Sequence, residues 1–132
     1  RKIRLGAYGD PAAIPFDIVA PFAKLGTGHT GYTHQASHES FDDRYFSLLM
    51  ASADTPKQSL ALQARGAKTF RVALADDSLF EHETECLADS RGIQCADCLQ
   101  CDGQKRNVAI QVHGSRKSNF KSSLIETINI AA

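Results

Sequence analysis

The stretch SLLMASADTPKQSLALQARGAKTFRVAL, Ser47 to Leu74, decides the fold. Ser47 to Ala53 is a short apolar run of the kind that forms a buried strand. Asp54-Thr55-Pro56 then offers a capping oxygen, followed by a proline whose missing N–H is harmless in a first helical turn. The helix is expected to reach about Arg65 and stop at Gly66. Thr69 to Leu74 alternates in polarity and is rich in β-formers, so a strand follows. Strand, helix and strand in this order make one crossover unit, with Asp54 expected to act as the helix cap.

The same alternation extends in both directions. Lys2 to Tyr8 reads as a strand that ends at the turn signal Gly9-Asp10-Pro11. Ile14, Ile18, Val19, Phe22 and Leu25 recur at helical spacing, with Gly26 as a C-cap and Pro21 as an interior obstacle. His29 to Thr33 is a further strand, and Gln35 to Asp43 is a polar loop with room for a short helix. Asn107 to His113 repeats the strand pattern, and Phe120, Leu124 and Ile128 form the apolar stripe of a final helix.

Alternating elements of this kind imply an α/β fold, a mostly parallel sheet of about five strands joined by right-handed crossovers. Two architectures fit, an open doubly wound sheet and a partial (β/α) barrel; a complete barrel takes about 250 residues. The partial barrel is the preferred expectation. Residues 1–132 are read as a single domain, and the start at Arg1, close to a strand and without Met, points to the C-terminal part of a longer protein. No internal repeat or low-complexity tract is present.

Fifteen basic and fifteen acidic side chains give a net charge of zero, which provides no field for nonspecific polyanion binding. Neither a membrane span nor an export signal is legible, so the expected location is cytoplasmic.

All four cysteines, Cys86, Cys95, Cys98 and Cys101, fall in one polar segment, 84–104, with the spacing Cys-x8-Cys-x2-Cys-x2-Cys. So polar a segment needs something other than a hydrophobic core to hold it. Thiolates two residues apart can turn back onto one ion, and four of them complete a zinc tetrahedron. The overlapping Cys-x2-Cys-x2-Cys run is closer to the one that wraps a [4Fe-4S] cluster in ferredoxins. The expected cofactor is therefore zinc or a [4Fe-4S] cluster, held by all four cysteines; disulfides and unrelated free thiols are the alternatives. Four protein ligands leave zinc coordinatively closed, which favours a structural or electron-transfer role over Lewis-acid catalysis.

Ligands of parallel sheets sit at the C-terminal strand ends. Here these carry Gly9-Asp10, Thr33-His34, Asp54, Asp76-Asp77 and His113-Gly114-Ser115. Asp10, His34 and His113 are the catalytic candidates, because histidine titrates near neutrality and aspartate can orient it. For Asp10 and Asp54, turn formation and helix capping are sufficient explanations. His29, His38 and His82 are read as surface residues. No Gly-x-Gly-x-x-Gly turn, Walker lysine or nucleophile elbow is present.

Taken together, Gly6-Ala7-Tyr8-Gly9-Asp10-Pro11, Gly31-Tyr32-Thr33-His34, Leu49-Met50-Ala51-Ser52, Thr69-Phe70-Arg71-Val72 and the cysteine run followed by Val112-His113-Gly114 resemble a group of uncharacterised, often phage-encoded proteins distantly similar to radical-SAM (β/α) barrels. The resemblance spans Arg4 to Gly114 and implies a barrel-like fold in a bacterial or phage-infected cell. It also implies that such a stretch is the C-terminal part of a longer protein. The Cys-x3-Cys-x2-Cys motif of radical-SAM enzymes is absent, so the late cysteines would resemble an auxiliary site.

Three classes of function follow. The first is a metal-binding α/β protein with a small-molecule or nucleotide site at the strand ends. The second is a nucleic-acid or protein-binding module using the cysteine segment and the nearby Lys105, Arg106, Arg116, Lys117 and Lys121. The third is a structural fragment whose partner is an N-terminal segment or a second copy of itself, because an open sheet leaves edge strands unpaired.

Overall fold

The computed structural model describes residues 1–74 and 77–112. The final helix expected around Phe120, Leu124 and Ile128 lies outside the described residues, as do Asp76 and the segment from His113 onward.

The elements are β1 (Ile3–Leu5), α1 (Phe16–Ala23), β2 (His29–Thr33), β3 (Met50–Ala53), α2 (Pro56–Ala64), β4 (Thr69–Ala73), β5 (Glu83–Glu85), α3 (Leu87–Arg91), α4 (Cys95–Cys98) and β6 (Asn107–Gln111). Three short 3₁₀ turns, Pro11–Ala13, Gln35–Ser37 and Asp43–Ser47, complete the framework. All six strands are parallel, in the order β1-β2-β3-β4-β6-β5, and the sheet is not closed into a barrel.

The crossover unit that decided the fold is present, with two corrections. Residues Ser47 to Leu49 are not strand, because Asp42 caps a 3₁₀ turn by accepting the Arg44 N–H and the chain extends only at Met50. The cap of α2 is Thr55 rather than Asp54: its hydroxyl accepts the Gln58 N–H, and the Gln58 side chain reaches back to the Asp54 N–H. Gly66, at φ +94°, closes the helix, with Gly66 N–H on Gln63 and Ala67 N–H on Leu62. That pair of bonds is a Schellman motif.

The register places Leu5, Gly31, Thr33, Ala51, Ala53, Thr69, Arg71, Ala73, Asn107 and Ala109 on one face of the sheet. Both crossover helices pack there. Val19 and Ala23 of α1 join Leu5, Tyr45, Leu48 and Leu49 in one cluster; Leu62 of α2 joins Ala36, Phe46, Ala51 and Ala53 in the next. Strands β1 to β4 run in sequential order with α1 and α2 on this face, whereas α3 and α4, in the connection from β5 to β6, lie against the opposite face. The other face, carrying Tyr32, Met50, Phe70 and Val108, is covered by the cysteine segment.

Helix α1 buries a different face from the one its periodicity implied. Val19 and Ala23 face the sheet, with Phe16 and Ala20 beside them, while Ile14, Ile18, Phe22 and Leu25 are exposed. Small side chains at Ala20 and Ala23 let the helix lie close to the strands. Gly26 serves the same close approach, since a Cβ there would stand 2.8 Å from the Ile3 side chain.

A sixth strand, β5, lies in a segment with no apolar alternation to announce it. It is held at the edge by a buried ion pair. Arg71, 0% exposed, donates from Nε to Glu83 Oε1 and from Nη2 to Glu83 Oε2, both at 2.8 Å. Its Nη2 also reaches the Ser78 carbonyl, and its guanidinium stacks 4.3 Å from the Phe80 ring centre. Burial alone would raise the Glu83 carboxyl, but hydrogen bonds from Arg71 and from the Phe80 N–H, with the Arg71 charge, hold it below the usual range.

Replacing Glu83 by Gln removes the bidentate carboxylate and leaves the buried guanidinium only Asp77, 3.5 Å from its Nη1, so a loss of about 3 kcal/mol in urea unfolding is expected. Because the folded pKa is depressed, this stabilisation is present above the unfolded value of about 4.3 and is lost as pH falls through the folded one. The acid limb of the stability profile should therefore flatten in Glu83→Gln.

Candidate metal centre

The segment expected as a loop over 84–104 is more ordered than that. It begins as β5, and the Cys86 N–H continues the ladder by donating to the Ala109 carbonyl at 2.9 Å. Cys86 then caps α3, its carbonyl accepting from Asp89 and Ser90. Gly92, at φ +66°, ends α3 and turns the chain into α4, the single turn Cys95–Cys98. Leu99 adopts φ +50° and reverses the chain toward Cys101.

Two contacts tie the end of this segment to the start of the sheet. The Gly31 N–H donates to the Cys101 carbonyl at 3.0 Å. His29 Nε2 lies 3.0 Å from the Leu48 carbonyl and 3.2 Å from that of Asp102, so it is the protonated nitrogen. Asp102 turns the chain by accepting the Gln104 and Lys105 N–H groups and pairing with Lys105 Nζ at 2.9 Å. His29, expected at the surface, is half-buried and clips the cysteine segment to β2 and β3. Nothing in its sequence neighbourhood marks that role, because its partners are backbone carbonyls distant in the chain.

As a result all four cysteines line one small cavity, bounded by Thr30, Tyr32, Leu87 and Val108 on the face of the sheet opposite α1 and α2. Its volume is about 20 Å³, room for one atom the size of a water. All four thiols are free; Cys101 is buried, Cys86 and Cys98 half-buried, and Cys95 exposed. Burial pushes the Cys101 thiol up to about 11, against the opposing effect of a hydrogen bond with the Tyr32 hydroxyl. Burial likewise raises the Tyr32 phenol, with the Cys101 bond adding to it. Tyr32 is fixed by an edge-on contact with Phe70, ring centres 4.9 Å apart.

The donor set suits a soft metal, since the cavity wall offers sulfur and no carboxylate or imidazole. The sulfurs are gathered but not closed: among the described residues no three His, Cys, Asp or Glu side chains stand close enough to hold one ion. Ligation therefore requires the thiols to draw inward and Cys101 to lose its proton.

The strand-end candidates meet only in part. Asp10 Oδ2 accepts from the Thr33 hydroxyl at 3.1 Å and from the His34 N–H at 2.8 Å, and Oδ1 accepts the Ala12 N–H. Asp10 thus joins the ends of β1 and β2 through the His34 backbone, while the imidazole is exposed. His113 lies outside the described residues. Asp54 is exposed, and Asp77 accepts the Leu74 N–H. A second cavity of about 280 Å³ does open at the ends of β4, β5 and β6, lined by Ala73, Asp77, Glu85, Asp89 and Gln111, with Cys86 common to both cavities. Glu85 and Asp89 were not legible as site residues because β5 itself was not. Of the basic residues beside the cysteines, Lys105 is engaged with Asp102 and the Leu99 carbonyl, and Arg106 is exposed.

Gly103 is essential to this construction: at φ +84° its Cβ would stand 2.6 Å from the Leu49 nitrogen. Gly92 has open space around its Cβ position, so Gly92→Ala should lose only the left-handed backbone penalty of about 1–2 kcal/mol. Gly103→Ala adds the overlap and should lose clearly more in urea unfolding. Equal losses for the two variants would contradict the close approach.

Comparison with protein-family models, with curated proteins and with solved structures finds no match for this chain.

Proposed function

We propose that this chain is a metal-binding α/β protein whose Cys86, Cys95, Cys98 and Cys101 hold one centre, zinc or a [4Fe-4S] cluster. The observation that carries the reading is the gathering of all four thiols, drawn from the cap of α3, from α4 and from the loop before β6, around a single cavity. Cys95, Cys98 and Cys101 are brought near each other by their spacing, and it is the arrival of Cys86 from the end of β5 that the tertiary structure adds. The small volume favours a single ion, and a cluster needs the segment to expand.

The centre would act as the staple of the sheet's second face. Metal binding would replace thiol protons, so its free energy adds to folding. A small-molecule site at the ends of β4, β5 and β6 belongs to the same proposal, since its cavity shares Cys86. The carboxylates of Asp77, Glu85 and Asp89 repel phosphate, so a neutral or cationic molecule suits it better than a nucleotide. The all-parallel order of β1 to β4 is compatible with the likeness to (β/α) barrels, in which the cysteines would be an auxiliary centre.

The test is metal content and an ultraviolet-visible spectrum of protein purified without air and without added metal. Stoichiometric zinc without colour is the expected result for a single ion; iron with labile sulfide and a broad visible band identifies the cluster. Absence of both metals at stoichiometric level refutes the centre. Each Cys→Ser variant should lower metal occupancy. Because Cys101 must release a proton whose pKa is pushed to about 11, affinity should fall as pH falls, measurable by competition with a chromophoric chelator.

A further inference from the structure

A centre of four thiolates around a divalent ion is a dianion, and so is an oxidised [4Fe-4S] core held by four thiolates. Charge of that kind in a half-buried site calls for hydrogen-bond donors or cations beside the sulfurs. Among the described residues, no Lys or Arg lines the cysteine cavity. Backbone donors next to the thiols are engaged with carbonyls instead: the Cys86 N–H with Ala109, the Cys98 N–H with Gln94 and the Leu99 N–H with Cys95.

A side-chain donor does reach a sulfur. Tyr32 lines the same cavity, and its hydroxyl donates a hydrogen bond to the buried Cys101. Two neighbours fix its place. The preceding residue, Gly31, donates its N–H to the Cys101 carbonyl at 3.0 Å, which sets β2 against the end of the cysteine segment. Across β3, the Phe70 ring meets the Tyr32 ring edge-on, with centres 4.9 Å apart.

We propose that Tyr32 is a positioning residue of the metal centre: its hydroxyl donates to the Cys101 sulfur, offsets the charge of the bound thiolates and orients Cys101 toward the ion. The inference rests on the four-cysteine reading and adds to it a residue outside the ligand set. Packing alone would ask only for the ring, since Met50, Phe70 and Val108 form its apolar surroundings. A phenol O–H in such surroundings has to find a partner, and here sulfur supplies it. Partners of this kind set the orientation of a ligand and the electron density on its donor atom. Removing one typically lowers metal affinity about 10–100-fold.

The test is Tyr32→Phe in the full chain, which keeps the ring and its contact with Phe70. Zinc affinity, measured by competition with a chromophoric chelator at one fixed pH, is expected to fall about tenfold or more. Cobalt(II) bound in place of zinc gives a readout that packing does not move: without the O–H donor, the thiolate-to-cobalt charge-transfer band should shift to longer wavelength. If the native chain carries a cluster, its reduction potential should fall in the variant. Circular dichroism of the metal-free variant should match that of the native chain. Equal zinc affinity with an unmoved cobalt band overturns the role of Tyr32 and leaves the four-cysteine centre standing; a native chain that binds no metal overturns both.

Discussion

A parallel sheet has to be covered on both faces, because its strands carry apolar side chains on each. Two crossover helices cover one face of this sheet. Among the described residues, the other, where Tyr32, Met50, Phe70 and Val108 stand, receives only the two short helices α3 and α4 of the cysteine segment. The cysteine segment fills that place with little apolar surface of its own. Its hold on the sheet is made of backbone contacts: Gly31 to Cys101, Cys86 to Ala109, the His29 clip, and the approach of Gly103 to Leu49. A metal centre would complete the same task by linking four points of the segment at once.

The buried Arg71–Glu83 pair plays the corresponding part at the sheet edge. β5 is three residues long and polar, too short for hydrophobic burial to position it. A bidentate ion pair under the Phe80 ring supplies direction instead, and it fixes the register that delivers Cys86 to the cavity. Buried ion pairs add less to stability than their Coulomb energy implies, since desolvation opposes it. Their geometric demand is what this edge uses.

Much of the fold was legible in the chain because it rests on local rules. Five strands, both crossover helices, the Pro56 start and the Gly66 stop follow from periodicity, capping and turn chemistry within windows of a few residues. The fate of Asp10 shows the boundary. Its place at a strand end was readable, but its engagement by Thr33 and His34 depends on how β1 and β2 align. Likewise the stripe on α1 was visible as spacing, yet which part of the helix meets the sheet was set by the small residues Ala20 and Ala23.

The sequence by itself determined the alternation of strands and helices, the clustering of four cysteines in one polar segment, and the absence of a net charge that would attract polyanions. Tertiary structure alone decided that the sheet stays open, that β5 joins its edge, and that four cysteines share one cavity with Tyr32. The physical reason is range. Capping, turns and periodicity act between neighbours in the chain, whereas an ion pair between Arg71 and Glu83, or a histidine held by carbonyls of Leu48 and Asp102, exists only once distant segments have been brought together.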